Sequence, residues 1–336
     1  MPAFIRIVML GWLLSVPAFA ADEDTLEEIV VTGEFKGPGL WRVTRPEDST
    51  NHVLWIVGDP FGLPKGMQWK SREIEAVVAG AQEILNEPGL GITTDEKIGV
   101  FRGLTLVPSL LKARSNPDNE DLDEVLPPDL YVRWLAQRKI FLRNSRSFEN
   151  WRPWFAAERL RTTAVEKLGL HESGLVWFAI DRIIAEKKLP VTSPSLEFKF
   201  KTAELRGKLK GFLREPLADI ECLRTTLDLT ERLADRDWVM ARANAWARAD
   251  LETISSLPRP DPELPCTTAL LGAQAARELL PADLREQMEK LWLDAALAAL
   301  AKNESTFAVV NFDSLLSPDG YLSQLRAAGL EIEAPN

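Results

Sequence analysis

Apolar positions along the chain follow three regimes. Residues 7–16 form a near-continuous apolar run, broken only by Gly11 and Ser15. Trp41-Arg42-Val43 and His52-Val53-Leu54-Trp55-Ile56-Val57 are short, β-branched and aromatic, which predicts two strands with a turn around 46–51. A loop rich in glycine and proline (58–66) follows. Beyond it, Ile74, Val77, Val78, Ala81 and Leu85 recur at helical spacing, predicting one helix capped by Ser71 and running to Glu87.

From about 110 to 303 the period is helical. Expected helices cover 129–138, 154–168, 173–188, 203–213 capped by Thr202, and 220–250. Leu175, Phe178, Ala179 and Ile183 form the inward stripe of the 173–188 helix. A long helix starts near Pro281 and runs through Asn303, with Leu284, Met288, Leu291, Trp292 and Leu300 inward. Phe307-Ala308-Val309-Val310 then reads as a buried strand, 321–328 as a short helix ended by Gly329, and 330–333 as an edge strand. Strands at both ends of a helical middle predict an α/β (α+β) fold. Its central mixed β-sheet is built from N- and C-terminal strands, with a large helical region between them.

The first apolar run is too short for a bilayer, which needs about 20 residues. Arg6 precedes it and Ala18-Phe19-Ala20 follows, the pattern of a secretory signal cut after about Ala20. No cysteine stands at the cut, so a lipid anchor is not expected. The short, single-arginine style points to a periplasmic protein. This divides the chain into a signal peptide (1–20), an extended leader (21–40) and one domain (41–336). After the signal, no apolar stretch reaches the length of a membrane span.

The chain carries 50 acidic and 40 basic side chains, a net charge of −10, and signal removal takes away only Arg6. An acidic surface of this size repels phosphate backbones, which argues against a nucleic-acid partner. Cys222 and Cys266 are the two cysteines. In an oxidising compartment such a pair predicts a disulfide; zinc is the rival, yet no histidine stands near them to complete four ligands. His52 reads as a strand-entry residue and His171 as a cap or surface residue.

Within the leader, Glu27-Glu28-Ile29-Val30-Val31-Thr32-Gly33 resembles the TonB box, a short extended peptide that pairs with TonB as an added strand. The alternative is a strand of the protein's own sheet or an unstructured leader. A receptor barrel of about 22 strands needs far more chain than this.

Several segments in order carry a wider resemblance. They are Gly39-Leu40-Trp41-Arg42-Val43, Leu54-Trp55-Ile56-Val57-Gly58, Leu63-Pro64-Lys65-Gly66-Met67-Gln68-Trp69 and Ala81-Gln82-Glu83-Ile84-Leu85-Asn86-Glu87. Trp151-Arg152-Pro153, Leu196-Glu197 and Arg242-Ala243-Asn244-Ala245-Trp246 continue the series, and Asp319-Gly320-Tyr321-Leu322 with Leu325-Arg326-Ala327-Ala328-Gly329-Leu330 close it. Together they resemble the TraB/GumN family (PrgY- and Tiki-like).

That resemblance implies two Gly-x-x-His motifs and a glutamate that hold a divalent metal for hydrolysis. Here the first motif reads Gly58-Asp59-Pro60-Phe61 and the second Asn311-Phe312-Asp313-Ser314, so both histidines are missing. Glu87, Glu197 and Arg242 remain, although the Arg-Asn pair has become Arg242-Ala243. The candidate pocket is therefore Asp59, Phe61, Glu87, Glu197, Arg242, Asp313 and Ser314, with no metal, no cofactor and no assigned catalytic residue. Two local alternatives compete with it: the acids are simply solvated or paired with Arg242, or Ser314 acts as a nucleophile, for which no histidine is nominated as base. The functional expectation is an exported, non-metal binding or accessory protein of the cell envelope. The alternatives are a metal-dependent hydrolase or peptidase using the remaining carboxylates, and an envelope module that engages TonB through 27–33.

Overall fold

The computed structural model describes residues 37–46, 51–95, 113–172, 174–212, 215–257, 259, 261 and 263–335. The signal at 1–20, the Glu27–Gly33 leader motif and part of the predicted turn (47–50) lie outside the described residues.

Eight strands are present among them: β1 (Leu40–Thr44), β2 (Val53–Asp59), β3 (Glu83–Leu85), β4 (Gly89–Thr94), β5 (Val191–Thr192), β6 (Ser195–Phe200), β7 (Ser305–Asn311) and β8 (Glu331–Glu333). Six form one mixed sheet in the order β5-β3-β7-β2-β1-β8; β4 and β6 pair in a separate parallel sheet. β7 lies between β3 and β2, parallel to both, in a register that sets Asp59 opposite Asn311. Consecutive residues of β7, from Thr306 to Val310, are all buried, as are Leu54, Ile56 and Val57 of β2. Burial of both faces requires layers on each side, the pattern of parallel strands in an α/β fold. The expected fold class is therefore the observed one.

Helix α1 (Arg72–Gly80) contributes Ile74 and Val78 to the core around this sheet. Leu175–Lys187 adds Val176 and Ile180, and Leu284–Lys302 adds Trp292, Ala296 and Leu300. A second core belongs to the helical middle, where Pro128–Phe141, Pro153–Lys167 and Ile220–Leu233 bury Trp134, Leu160 and Leu227. Cys222 and Cys266 are joined, with Cα atoms 4.5 Å apart, and tie Ile220–Leu233 to helix Glu263–Leu271. Among the described residues, no helix is long and apolar enough to cross a membrane.

Four local expectations are corrected. The helix begun at Ser71 stops at Gly80, and Ala81 is already extended (φ −75°, ψ 150°). Ile84 and Leu85, at 0% and 1% exposure, instead sit in a strand between β7 and β5. Burial plus two ladders of backbone hydrogen bonds outweighs a local helical period. The predicted 220–250 helix is two, Ile220–Leu233 and Arg236–Ala247, because the Asp235 side chain accepts from the Trp238 N–H at 3.2 Å and starts a new helix. Phe178 is 69% exposed rather than inward, its ring tilted against His171. Finally, the helical middle contains strands β5 and β6.

Candidate functional site

Parallel strands β3, β7 and β2 end at one edge of the sheet, the crevice where α/β proteins place their ligands. Asp59 is the last residue of β2 and is 9% exposed. Its Oδ2 accepts from the Val176 N–H at 3.2 Å, at the start of helix Leu175–Lys187, while Oδ1 has no partner. Burial pushes its pKa up to about 7; the Val176 and Leu175 N–H groups pull it down, and the nearby Glu87 charge adds to the rise.

Glu87, two residues past β3, is half-buried, and burial likewise raises its pKa. The Asn311 N–H and the Tyr321 hydroxyl oppose that rise, and the Glu263 charge adds to it. The Tyr321 hydroxyl is itself raised, by burial first and then by Glu87, Glu289 and Glu263. Two acids and a phenol thus share one poorly hydrated corner.

Across it, Asn311 ends β7 and caps helix Phe312–Leu316. Its Oδ1 accepts from the Asp313 N–H at 2.9 Å and the Ser314 N–H at 3.0 Å. The cap fixes Asp313 in the first turn, where two arginines hold it. The Arg242 guanidinium donates to Oδ1 at 3.0 Å and to Oδ2 at 3.2 Å, and Arg259 Nε donates to Oδ2 at 2.7 Å. Burial alone would raise the Asp313 pKa, but Arg259 and Arg242 hold it below the ordinary value. Arg242 is only 3% exposed and is packed against the rings of Trp238 and Phe312; burial lowers its pKa against the opposing charge of Asp313.

Phe61 completes the arrangement. Its ring packs against the Val165–Leu170–Leu229–Trp238 cluster. The guanidiniums of Arg161 and Arg259 lie 5.6 Å and 5.5 Å from its centroid, within cation–π range. A cavity of about 310 Å³ opens here, lined by Phe61, Arg161, Arg259, Glu263, Cys266 and Asn311, among others.

Of the seven candidate positions, the structure links Asp59 to Glu87 and Arg242 to Asp313, with Phe61 against Arg259 of the same network. Ser314 joins through its backbone N–H. Glu197 lies elsewhere: it is exposed on β6, accepts from the Ser195 hydroxyl at 2.8 Å and covers Gly91, where an added Cβ would meet its carboxylate. Arg259, Arg161, Glu263 and Tyr321 enter the site without having been predicted. Only Tyr321 lay in a segment that carried the family resemblance; Arg161 lay in an expected helix without a motif, and Arg259 stands between Pro258 and Pro260 with no motif around it.

The two positions where the resemblance implies imidazoles hold Phe61, beneath two cations, and Ser314. Both oxygens of Asp313 are taken by guanidiniums. Among the described residues, no group of three His, Cys, Asp or Glu side chains is placed to hold a metal. This donor set does not fit a divalent ion. His52 donates from Nδ1 to the Leu300 carbonyl at 3.0 Å, and the His171 ring rests on Phe178.

Compared with known proteins, residues 39–334 match the model of a family described as TraB/PrgY/gumN. No curated protein and no solved structure matches the chain.

Proposed function

The chain belongs to the TraB/PrgY/gumN family, and on that footing we propose that it is an exported, non-metal binding or accessory protein of the cell envelope, working in the periplasm after removal of a signal cut near Ala20. The observation that carries this reading is Asp313 clamped by Arg242 and Arg259 above Phe61. Guanidiniums and an aromatic face stand where metal hydrolysis would need imidazoles, and the adjoining cavity offers polar groups for a small ligand. The Cys222–Cys266 bridge supports an oxidising compartment.

Metal analysis of purified 21–336 tests the reading. The expected result is substoichiometric metal in the parent protein. A divalent ion at one equivalent, lost in Glu87→Ala, sinks it. Intact-mass measurement of the periplasmic fraction tests export, with a mature chain starting near Ala21 as the expected product.

One observation favours a second reading. Asp59 titrates near neutrality beside another protonation-prone acid, Glu87, and such a pair suits general acid–base hydrolysis of a peptide or ester. A hydrolytic activity with a neutral pH inflection, abolished by Asp59→Asn, would favour it over binding alone. The leader supports a separate partner proposal: Glu27–Gly33 engages a TonB-like domain by strand addition. Loss of TonB pull-down on deleting 27–33 is expected; no binding by the parent protein ends that proposal.

A further inference from the structure

A second cavity, of about 450 Å³, opens beside helix Pro153–Lys167 on a face that turns Phe155, Arg159 and Thr162 toward it; Arg114, Phe148 and Trp151 form the rest of its wall. Phe148 and Trp151 meet edge to face with centroids 4.9 Å apart. The Arg114 guanidinium lies 5.3 Å from the Trp151 centroid, and that of Arg159 lies 6.0 Å from the Phe148 centroid. Glu158 also borders this cavity, but its carboxylate is held by Arg161 at 2.8 Å and 3.0 Å.

The wall is held in place from behind. Trp151 pairs with Ser115 as an isolated bridge, and the Arg152 N–H donates to the Arg114 carbonyl at 2.7 Å. The side chain of Arg152 is 1% exposed and donates to the carbonyls of Ser115, Phe212 and Glu215. The segment that presents Arg114 and Trp151 is therefore fixed before any ligand arrives, which lowers the entropic cost of binding.

Charge also marks the groove. The chain has an excess of acids, and three arginines of helices Pro128–Phe141 and Pro153–Lys167 are matched: Arg161 to Glu158 and Glu172, Arg138 to Glu149, Arg133 to Asp228 and Glu231. Arg114 and Arg159 have no ion-pair partner among the described residues. A guanidinium stacked on a ring keeps its N–H edge free, and that planar fork matches a carboxylate. The aromatic wall supplies the apolar half of the complement.

We propose that this groove is a binding site for an aromatic carboxylate. Its ring packs against Phe148, Trp151 and Phe155, and its carboxylate is gripped by Arg114 and Arg159. The groove shares only Glu158 with the strand-end cavity and does not depend on the reading of that cluster.

The test is calorimetric titration of mature protein with 2-naphthylacetate, and with 2-naphthylacetamide, which keeps the ring and loses the charge. The acid should bind more tightly than the amide by about tenfold or more, the effect of a charge-assisted bidentate contact. Arg114→Gln and Arg159→Gln should each weaken the acid by about tenfold and leave the amide nearly unchanged. Arg159 is exposed, so its substitution leaves the fold intact, and a thermal melt checks Arg114→Gln. Arg236→Gln, on another exposed helix position, should change nothing. Equal affinities for acid and amide overturn the proposal. So does unchanged acid binding in Arg159→Gln, or no binding of the acid at millimolar concentration.

Discussion

Asp59→Asn probes the strand-end site through stability rather than activity. The carboxyl is 9% exposed, one of its oxygens has no partner, and its pKa stands at about 7 against an ordinary 3.8. Between those values the folded state binds the proton and the unfolded state has lost it. The stability from this group is thus fully present below pH 3.8 and is lost as pH rises through about 7. At 1.36 kcal/mol per pKa unit, the whole loss is about 4 kcal/mol at pH 8, an upper figure. Asparagine cannot ionise and keeps an oxygen for the Val176 N–H. Parent and variant should therefore melt together near pH 4 and separate steadily above it. At pH 8 the variant should lead by up to about 8 °C, at roughly 2 °C per kcal/mol in a domain of this size. Circular-dichroism melts of both proteins in half-unit steps from pH 4 to 8 give the comparison. A gap that is flat with pH would refute the reasoning, as would a variant that melts lower at pH 8. Either result would mean that Asp59 is ionised and stabilises the helix N-terminus at Leu175 by its charge.

Asp313→Asn leaves Arg242 and Arg259, whose side chains are 4% and 5% exposed, without their shared anion, and should cost about 3–5 kcal/mol by denaturant unfolding at neutral pH. Because its pKa is depressed, Asp313 stabilises above its ordinary value and loses that effect in acid, so the cost should shrink as pH falls. Replacing both Cys222 and Cys266 by Ser, or reducing them, opens a loop with a separation of 44 residues and should lower stability by about 4 kcal/mol, read from melts with and without a dithiol. Phe178→Ala, at 69% exposure, should change stability by less than about 0.5 kcal/mol, whereas Ile180→Ala, fully buried on the same helix, should cost about 2–5 kcal/mol.

The sheet was readable where a strand carries its own signal. β2 and β7 are short, mostly buried runs rich in β-branched and aromatic residues, too short for a helix of ordinary length. β3 and β5 carry no comparable signal, at three and two residues. Ile84 and Leu85 fit the helical period begun at Ile74, and what makes them strand is pairing with β7, far along the chain. The Leu175–Lys187 helix was found, and Leu175, Ala179 and Ile183 of its expected stripe do pack on the core; only Phe178 was misplaced. Leu175, Val176, Phe178, Ala179 and Ile180 are apolar nearly all round, so spacing alone could not separate Val176 and Ile180, which are buried, from Phe178, which is not.

At the site, acids at strand ends were legible because parallel strands must finish at one edge. The cations were not, since Arg259 reaches Asp313 from 54 residues away and from a segment without motif. Their presence changes what Phe61 and Ser314 mean at the two positions where the resemblance implies histidines. Phe61 offers a face to Arg161 and Arg259, and Asn311 caps the turn that presents Asp313 to Arg242 and Arg259. These side chains suit one another, so placing imidazoles at 61 and 314 alone should not create a metal site. The Phe61→His/Ser314→His double variant should still fail to take up zinc stoichiometrically in a competition with a chelating dye, because Arg259 keeps both its charge and its hold on Asp313. Adding Arg259→Ala removes the shorter of the two contacts on Asp313 Oδ2 and one of the two cations beside position 61, and zinc uptake should then appear. If the double variant binds one equivalent of zinc with Arg259 in place, the guanidinium network is incidental, and the histidines alone decided the chemistry.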